Sequence, residues 1–140
     1  MDNCITYLGL VKKAGYLQIG EDCVSNAVMD IKARLLLSAS DASDASKRKA
    51  GFMAEDVRVP HIILPYTKAD LGLVVGRGVP GMLCICDTAM AKNFVDKLTA
   101  LYPQYKQTGE ILAVKLKRAN ERRMNKEQEK NNTNGKRRTK

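Results

Sequence analysis

Short apolar runs alternate with helix-period segments through the first hundred residues, and this alternation constrains the fold more than any single motif does. Residues 3–14 put Cys4, Ile5, Leu8 and Val11 on one helical face, with Gly15 as a stop. Residues 16–19 read as a brief strand and Gly20 as a turn; 21–32 form a second helix with Val24, Ala27, Val28 and Ile31 on one face. The run from Leu35 to Leu37 into Ser38, Ala39 and Ser40 reads as a buried strand, because a strand covered on both faces needs no polar alternation. A third helix at about 44–57 is expected to turn Phe52, Met53 and Val57 inward, although Gly51 weakens its middle by up to ~1 kcal/mol. His61 to Leu64 and Met82 to Cys86 are two further strands. Between them Thr67 and Asp70 have the spacing of a capping box, opening a helix that Gly76 ends. Asp87 or Thr88 caps a last long helix, with Ala91, Phe94, Val95, Leu98 and Tyr102 inward and Pro103 at its end. This order predicts a three-layer α-β-α sandwich, with Val28, Leu36 and Leu98 buried in one core.

The net charge of +9 is unevenly spread. Residues 115–140 hold eleven Lys and Arg against three Glu, while residues 1–114 hold thirteen against twelve acids. A nearly neutral domain with a basic arm suits nucleic-acid contact, since Lys and Arg displace condensed counterions from phosphate. The expected division is a domain over 1–102 and a basic, largely disordered tail over 103–140. Ile111, Leu112, Val114 and Leu116 suffice for a fragment of strand or helix within 111–124. From about Gln128 the Asn, Lys, Gly and Arg composition buries too little apolar surface to order itself.

At 140 residues the chain can bury a core without a disulfide or metal. No run approaches the ~18 apolar residues of a membrane span, and the start at Met1-Asp2-Asn3-Cys4 lacks the basic region of a secretory leader. A cytoplasmic location without membrane contact is expected. Cys84 and Cys86, two apart on a strand, face one side and form a candidate metal or redox pair. Zinc needs four converging ligands, and neither Cys4, Cys23 nor His61 has the spacing to complete the set, so a buried strand using Cys as a small hydrophobe is expected. No metal and no cofactor is expected.

Four segments recur in a recognisable order. They are Leu8-Gly9-Leu10-Val11-Lys12-Lys13-Ala14-Gly15; Gly20-Glu21-Asp22 running into Lys32-Ala33-Arg34-Leu35-Leu36-Leu37; Ser40-Asp41-Ala42-Ser43 before Lys47-Arg48-Lys49; and Val59-Pro60 followed by Thr67-Lys68-Ala69-Asp70-Leu71-Gly72 and Val75-Gly76. Over about residues 4–101 the set resembles the ribosomal L-seven-Ae / L-thirty-e family, and most its bacterial YlxQ-like branch. The resemblance implies a four-stranded mixed sheet and binding of structured RNA, in many members a kink-turn. It also implies that the start of the second helix grips the RNA, here Gly20, Glu21, Asp22, Cys23 and Asn26. The loop Gly76, Arg77, Gly78, Val79 and Pro80 would cover a flipped-out nucleotide. Kink-turn binders of the family carry Asn-Glu and then Lys where this chain has Asp22, Cys23 and Asn26; these differences replace an amide, an acceptor and a positive charge.

Catalysis has little support, because His61 is alone and no Ser or Cys has an evident base partner. The expected function is therefore non-catalytic binding of structured RNA, an rRNA or a kink-turn, by a monomeric ribosomal or ribosome-associated protein. Lys115, Lys117, Arg118, Arg122, Arg123, Arg137 and Arg138 would add phosphate contacts. The alternative is a protein-interaction module of the ribosome or its assembly apparatus that has lost kink-turn binding. Ribosomal proteins are further expected partners.

Overall fold

The computed structural model describes residues 2–76 and 78–138, with side chains described as far as Lys126. Asp2 caps the first helix, α1 (Asn3–Lys13), its carboxylate accepting from the backbone N–H of Cys4 and Ile5 at 3.0 and 3.1 Å. There follow β1 (Leu17–Ile19), α2 (Glu21–Met29), β2 (Leu35–Ser38), α3 (Asp44–Asp56), β3 (His61–Ile63), α4 (Lys68–Val75), β4 (Met82–Ile85) and α5 (Thr88–Leu101). Both halves of the Thr67–Asp70 capping box are formed, and Gly76 closes α4 in the left-handed conformation at φ 69°.

The four strands make one mixed sheet in the order β1-β4-β2-β3. β4 runs antiparallel to both β1 and β2, and β3 runs parallel to β2. Each central strand is fully buried and divides its residues between two cores. Leu35, Leu37, Leu83 and Ile85 join α1, α4 and α5 on one side; Leu36, Met82 and Cys84 join α2 and α3 on the other. The molecule is thus the three-layer α-β-α sandwich expected. Val28, Leu36 and Leu98 are all buried, but not in one core: Leu98 lies across the sheet from the other two. The period of a strand forces this, since neighbouring residues point to opposite faces.

Phe52 also corrects the sequence reading, being 64% exposed. Ala50 and Ala54, one helical turn apart, form the buried ridge of α3, with Met53 and Val57 at its margin. α2 stops at Met29 rather than reaching 32, because Ile31 turns left-handed at φ 58°. α3 ends alike, with Arg58 at φ 57°. In both, the next amide reaches five residues back: Lys32 to the Ala27 carbonyl at 2.9 Å and Val59 to that of Ala54 at 3.0 Å. This is the closure that glycine usually supplies. Here two side chains hold the left-handed conformation, which costs roughly 1–2 kcal/mol per residue relative to glycine.

Past 102 the chain goes on packing against the domain as far as Leu112, inside the span read as tail. A 3-10 turn, Pro103–Tyr105, leads into α6 (Lys106–Arg138). Tyr105 is buried and donates its hydroxyl to the Ile63 carbonyl at 2.6 Å; Leu112 is fully buried in the core beneath α5. At Gly109 the helix passes α5 so closely that an added Cβ would lie 3.4 Å from the Asp96 carboxylate. The 33 residues of α6 are more than twice the 14 of α5, so its second half overruns its packing partner.

Candidate nucleic-acid interface

β1, β2 and β3 all point the same way, so the starts of α2, α3 and α4 gather at one pole of the sheet. The expected RNA-gripping residues begin there. Gly20 sits at φ 90°, where a side chain would strain the backbone, and donates its N–H to the Met82 carbonyl at 2.9 Å. That bond ties the α2 start to the end of the Gly76–Pro80 loop, so the structure does bring the two expected segments together. Gly78 folds back onto α4, so a Cβ on Gly72 would lie 1.8 Å from its carbonyl oxygen. Pro80 is buried and Val79 is 64% exposed; Arg77 lies outside the described residues.

The α2 start is not a cluster of free contacts. Glu21 pairs with Lys49 from α3, which the sequence reading left out of the site. Lys47 is likewise held, donating to the Ser40 carbonyl at 2.8 Å. Asp22 and Asn26 are exposed and Cys23 is half-buried. Cys23 and Asn26 turn away from the pole, toward a cavity of about 450 Å³ between α2 and the β1 edge, also lined by Tyr16, Gln18, Arg34 and Cys86.

Cys84 and Cys86 do share a side, with their sulfurs 3.8 Å apart. Their hydrogen bond pulls the Cys86 thiol down to about 7, helped by the charges of Arg34 and Lys32 against the effect of its burial. The same bond, with burial, pushes Cys84 up. Among the described residues no group of three or more His, Cys, Asp or Glu side chains could hold a metal ion.

The opposite pole holds the carboxyl ends of α2 and α3, and α6 runs across it. Together they enclose a groove of about 840 Å³. Lys115, Arg118, Arg122, Arg123 and Lys126 line its α6 wall; Arg34 and Arg58 line the facing wall, on a floor of Ile31, Val57 and Val59. No carboxylate is among its described lining residues. Lys115 donates to the Arg58 carbonyl, and burial together with the charge of Arg34 lowers its pKa. The helix carboxyl ends offset part of this crowding, since their partial negative charge favours cations.

No family model matches this chain, and no curated protein does. Among solved structures it is similar to a protein with unknown function from Bacillus halodurans, at 22% identity and a TM-score of 0.63. The match covers 97% of that chain and 69% of this one. At this identity the likeness establishes the fold and nothing about function.

The expected phosphate-contact residues are thus divided. Lys115, Arg118, Arg122 and Arg123 line the groove, Lys117 is exposed on α6 outside that lining, and Arg137 and Arg138 lie outside the residues whose side chains are described. Arg34 and Arg58 were missed altogether. The available signal was weak: two isolated cations, each just after a helix end, in segments far apart along the chain.

Proposed function

We propose that this is a non-catalytic, cytoplasmic protein that binds structured RNA, rRNA or a kink-turn-like element, in association with the ribosome. The reading rests foremost on one observation: the cations from Lys115 to Lys126 stand on a helix that packs on the domain through Leu112, so their charge has a defined direction. The order of segments resembling the L-seven-Ae / L-thirty-e family supports the same reading. So does the gathering of Gly20 and the Gly76–Pro80 loop at one pole. Among the described residues no helix is long and apolar enough to cross a membrane.

The test is truncation after Val114. Leu112, the last core residue on α6, is retained, so the domain should keep its packing. Binding of a folded RNA should weaken, and log K should depend less steeply on log salt, by about 0.7–0.9 for each phosphate that no longer meets a cation. An unchanged salt slope overturns an α6-driven mode.

A second reading, contact with a ribosomal protein, is favoured by a groove of about 570 Å³ between α1 and α4. It presents Leu10 and Leu73 at 57% and 73% exposure.

A further inference from the structure

We propose that the groove between α6 and the Arg34 and Arg58 corners is a clamp for the sugar–phosphate backbone of double-helical RNA, at the pole opposite the α2 start. This deepens the RNA-binding reading and rests on it.

Three features carry the inference. The first is charge. Seven cations line the two walls, and among the described residues none of them makes an ion pair. Both walls are positive, so an anionic strand lying between them is attracted from two sides.

The second is geometry. Lys115, Arg118, Arg122 and Lys126 follow one another at helical spacing, forming a stripe about 16 Å long at the α-helical rise. A duplex carries roughly one phosphate per 1.7 Å of its axis, so the stripe meets several phosphates in turn. Ile31 and Arg58, the two non-glycine residues held left-handed among the described residues, both line this groove. Such conformations concentrate at sites where position matters more than stability.

The third is what the groove lacks. Apart from its cations, its described lining is Ile31, Val57, Val59, Thr88 and Ala119. Recognition of unpaired bases uses aromatic platforms for stacking, and no aromatic side chain is among these residues. A duplex keeps its bases stacked inside and offers only its backbone, which is what cations on an aliphatic floor can hold. The contact is consequently indifferent to sequence.

The experiment uses the full chain and fluorescence anisotropy with a labelled perfect RNA hairpin and an unstructured single strand of equal length. The wild type should bind the hairpin at least fivefold more tightly. Arg34→Gln with Arg58→Gln should weaken hairpin binding about tenfold and lower the salt slope by about 1.8, two contacts at ~0.9 each. Arg34 also donates to the carbonyls of Ile31 and Ala33, so that variant could loosen its own loop. Arg118→Gln with Arg122→Gln alters only the exposed face of α6 and should show a similar loss with an unchanged melting temperature. Lys47→Ala with Lys49→Ala, at the other pole, should change hairpin affinity less than twofold. If the wild type binds neither RNA, the RNA-binding reading itself falls. If it binds, but only the Lys47 and Lys49 variant loses affinity, the reading stands and the clamp does not. Tighter binding of the single strand also overturns the clamp.

Discussion

Lys115 donates its ammonium to the backbone carbonyl of Arg58, joining the C-terminal helix to the corner between α3 and β3 across 57 residues of sequence. The carbonyl is available because Arg58 stands in the left-handed conformation just past the end of α3. The bond fixes where α6 crosses the pole, and with it which cations face Arg34.

Arg58→Gly should separate stability from binding. Glycine removes the left-handed penalty but adds unfolded-chain entropy, so a net gain on the order of 0.5–1 kcal/mol is expected. The urea midpoint should rise while affinity for the RNA hairpin falls severalfold. A lower midpoint would mean that the arginine side chain contributes packing that outweighs the strain.

His61 should make folding sensitive to mild acid. Its Nε2 lies 2.8 Å from the Ser38 hydroxyl, and burial lowers its pKa below the usual 6.5. Below about 6.5 the unfolded chain therefore takes up a proton that the folded one refuses. Stability contributed by the neutral ring is full above that value, declines as pH falls through it, and levels off below the folded pKa. Urea midpoints measured at pH 7.5 and 5.5 should differ for the wild type and differ less for His61→Gln. An equal drop in both would assign the acid sensitivity to other groups.

Cys86 should be the most reactive thiol at neutral pH. Cys4 and Cys84 are buried and their pKa values are raised, whereas that of Cys86 is drawn down to about 7 and its side chain lines the α2–β1 cavity. Peptide mapping after brief, substoichiometric iodoacetamide treatment should find the label chiefly there. Cys84→Ala, which removes the hydrogen-bond donor, should slow that labelling severalfold at pH 7. Equal labelling of Cys4 would refute the order.

Leu112→Ala should cost about 2–5 kcal/mol, as a buried leucine does, while Ile111→Ala, 41% exposed, should cost far less. Thermal melts of the two variants decide whether α6 belongs to the cooperative unit. Similar melting temperatures would return the domain boundary to the neighbourhood of 102.

Restoring the chemistry of the α2 start tests whether that pole can take a kink-turn. Asp22→Asn should raise affinity for kinked RNA by about 1–3 kcal/mol, one good base contact, in the chain truncated after Val114, while adding Cys23→Glu and Asn26→Lys, whose positions line the α2–β1 cavity, should add little. A straight duplex should gain much less. Equal gains for both would show added charge without recognition of shape.

Much of the sandwich was legible because each element carries its own local signal. Thr67 and Asp87 cap helices through atoms only a few residues away. Leu35, Leu36 and Leu37 announce a strand covered on both faces whatever its neighbours are. Phe52 was misread because a large apolar residue beside two alanines draws attention, while the alanines make the close contact. The packing of α6 was hard to read because, among its described side chains, Leu112 alone is fully buried, while its apolar neighbours Ile111 and Val114 are exposed among basic residues.

The order and nature of the first nine elements, and the placing of positive charge near the C-terminus, follow from neighbours along the chain. Only folding sets Leu98 across the sheet from Leu36, turns Cys23 and Asn26 to a cavity rather than the pole, and brings Arg34 and Arg58 to Lys115. Those relations depend on strand order and on where α6 docks. No residue carries them locally, since they arise only when β4 pairs between β1 and β2 and a helix from the far end of the chain is laid across the result.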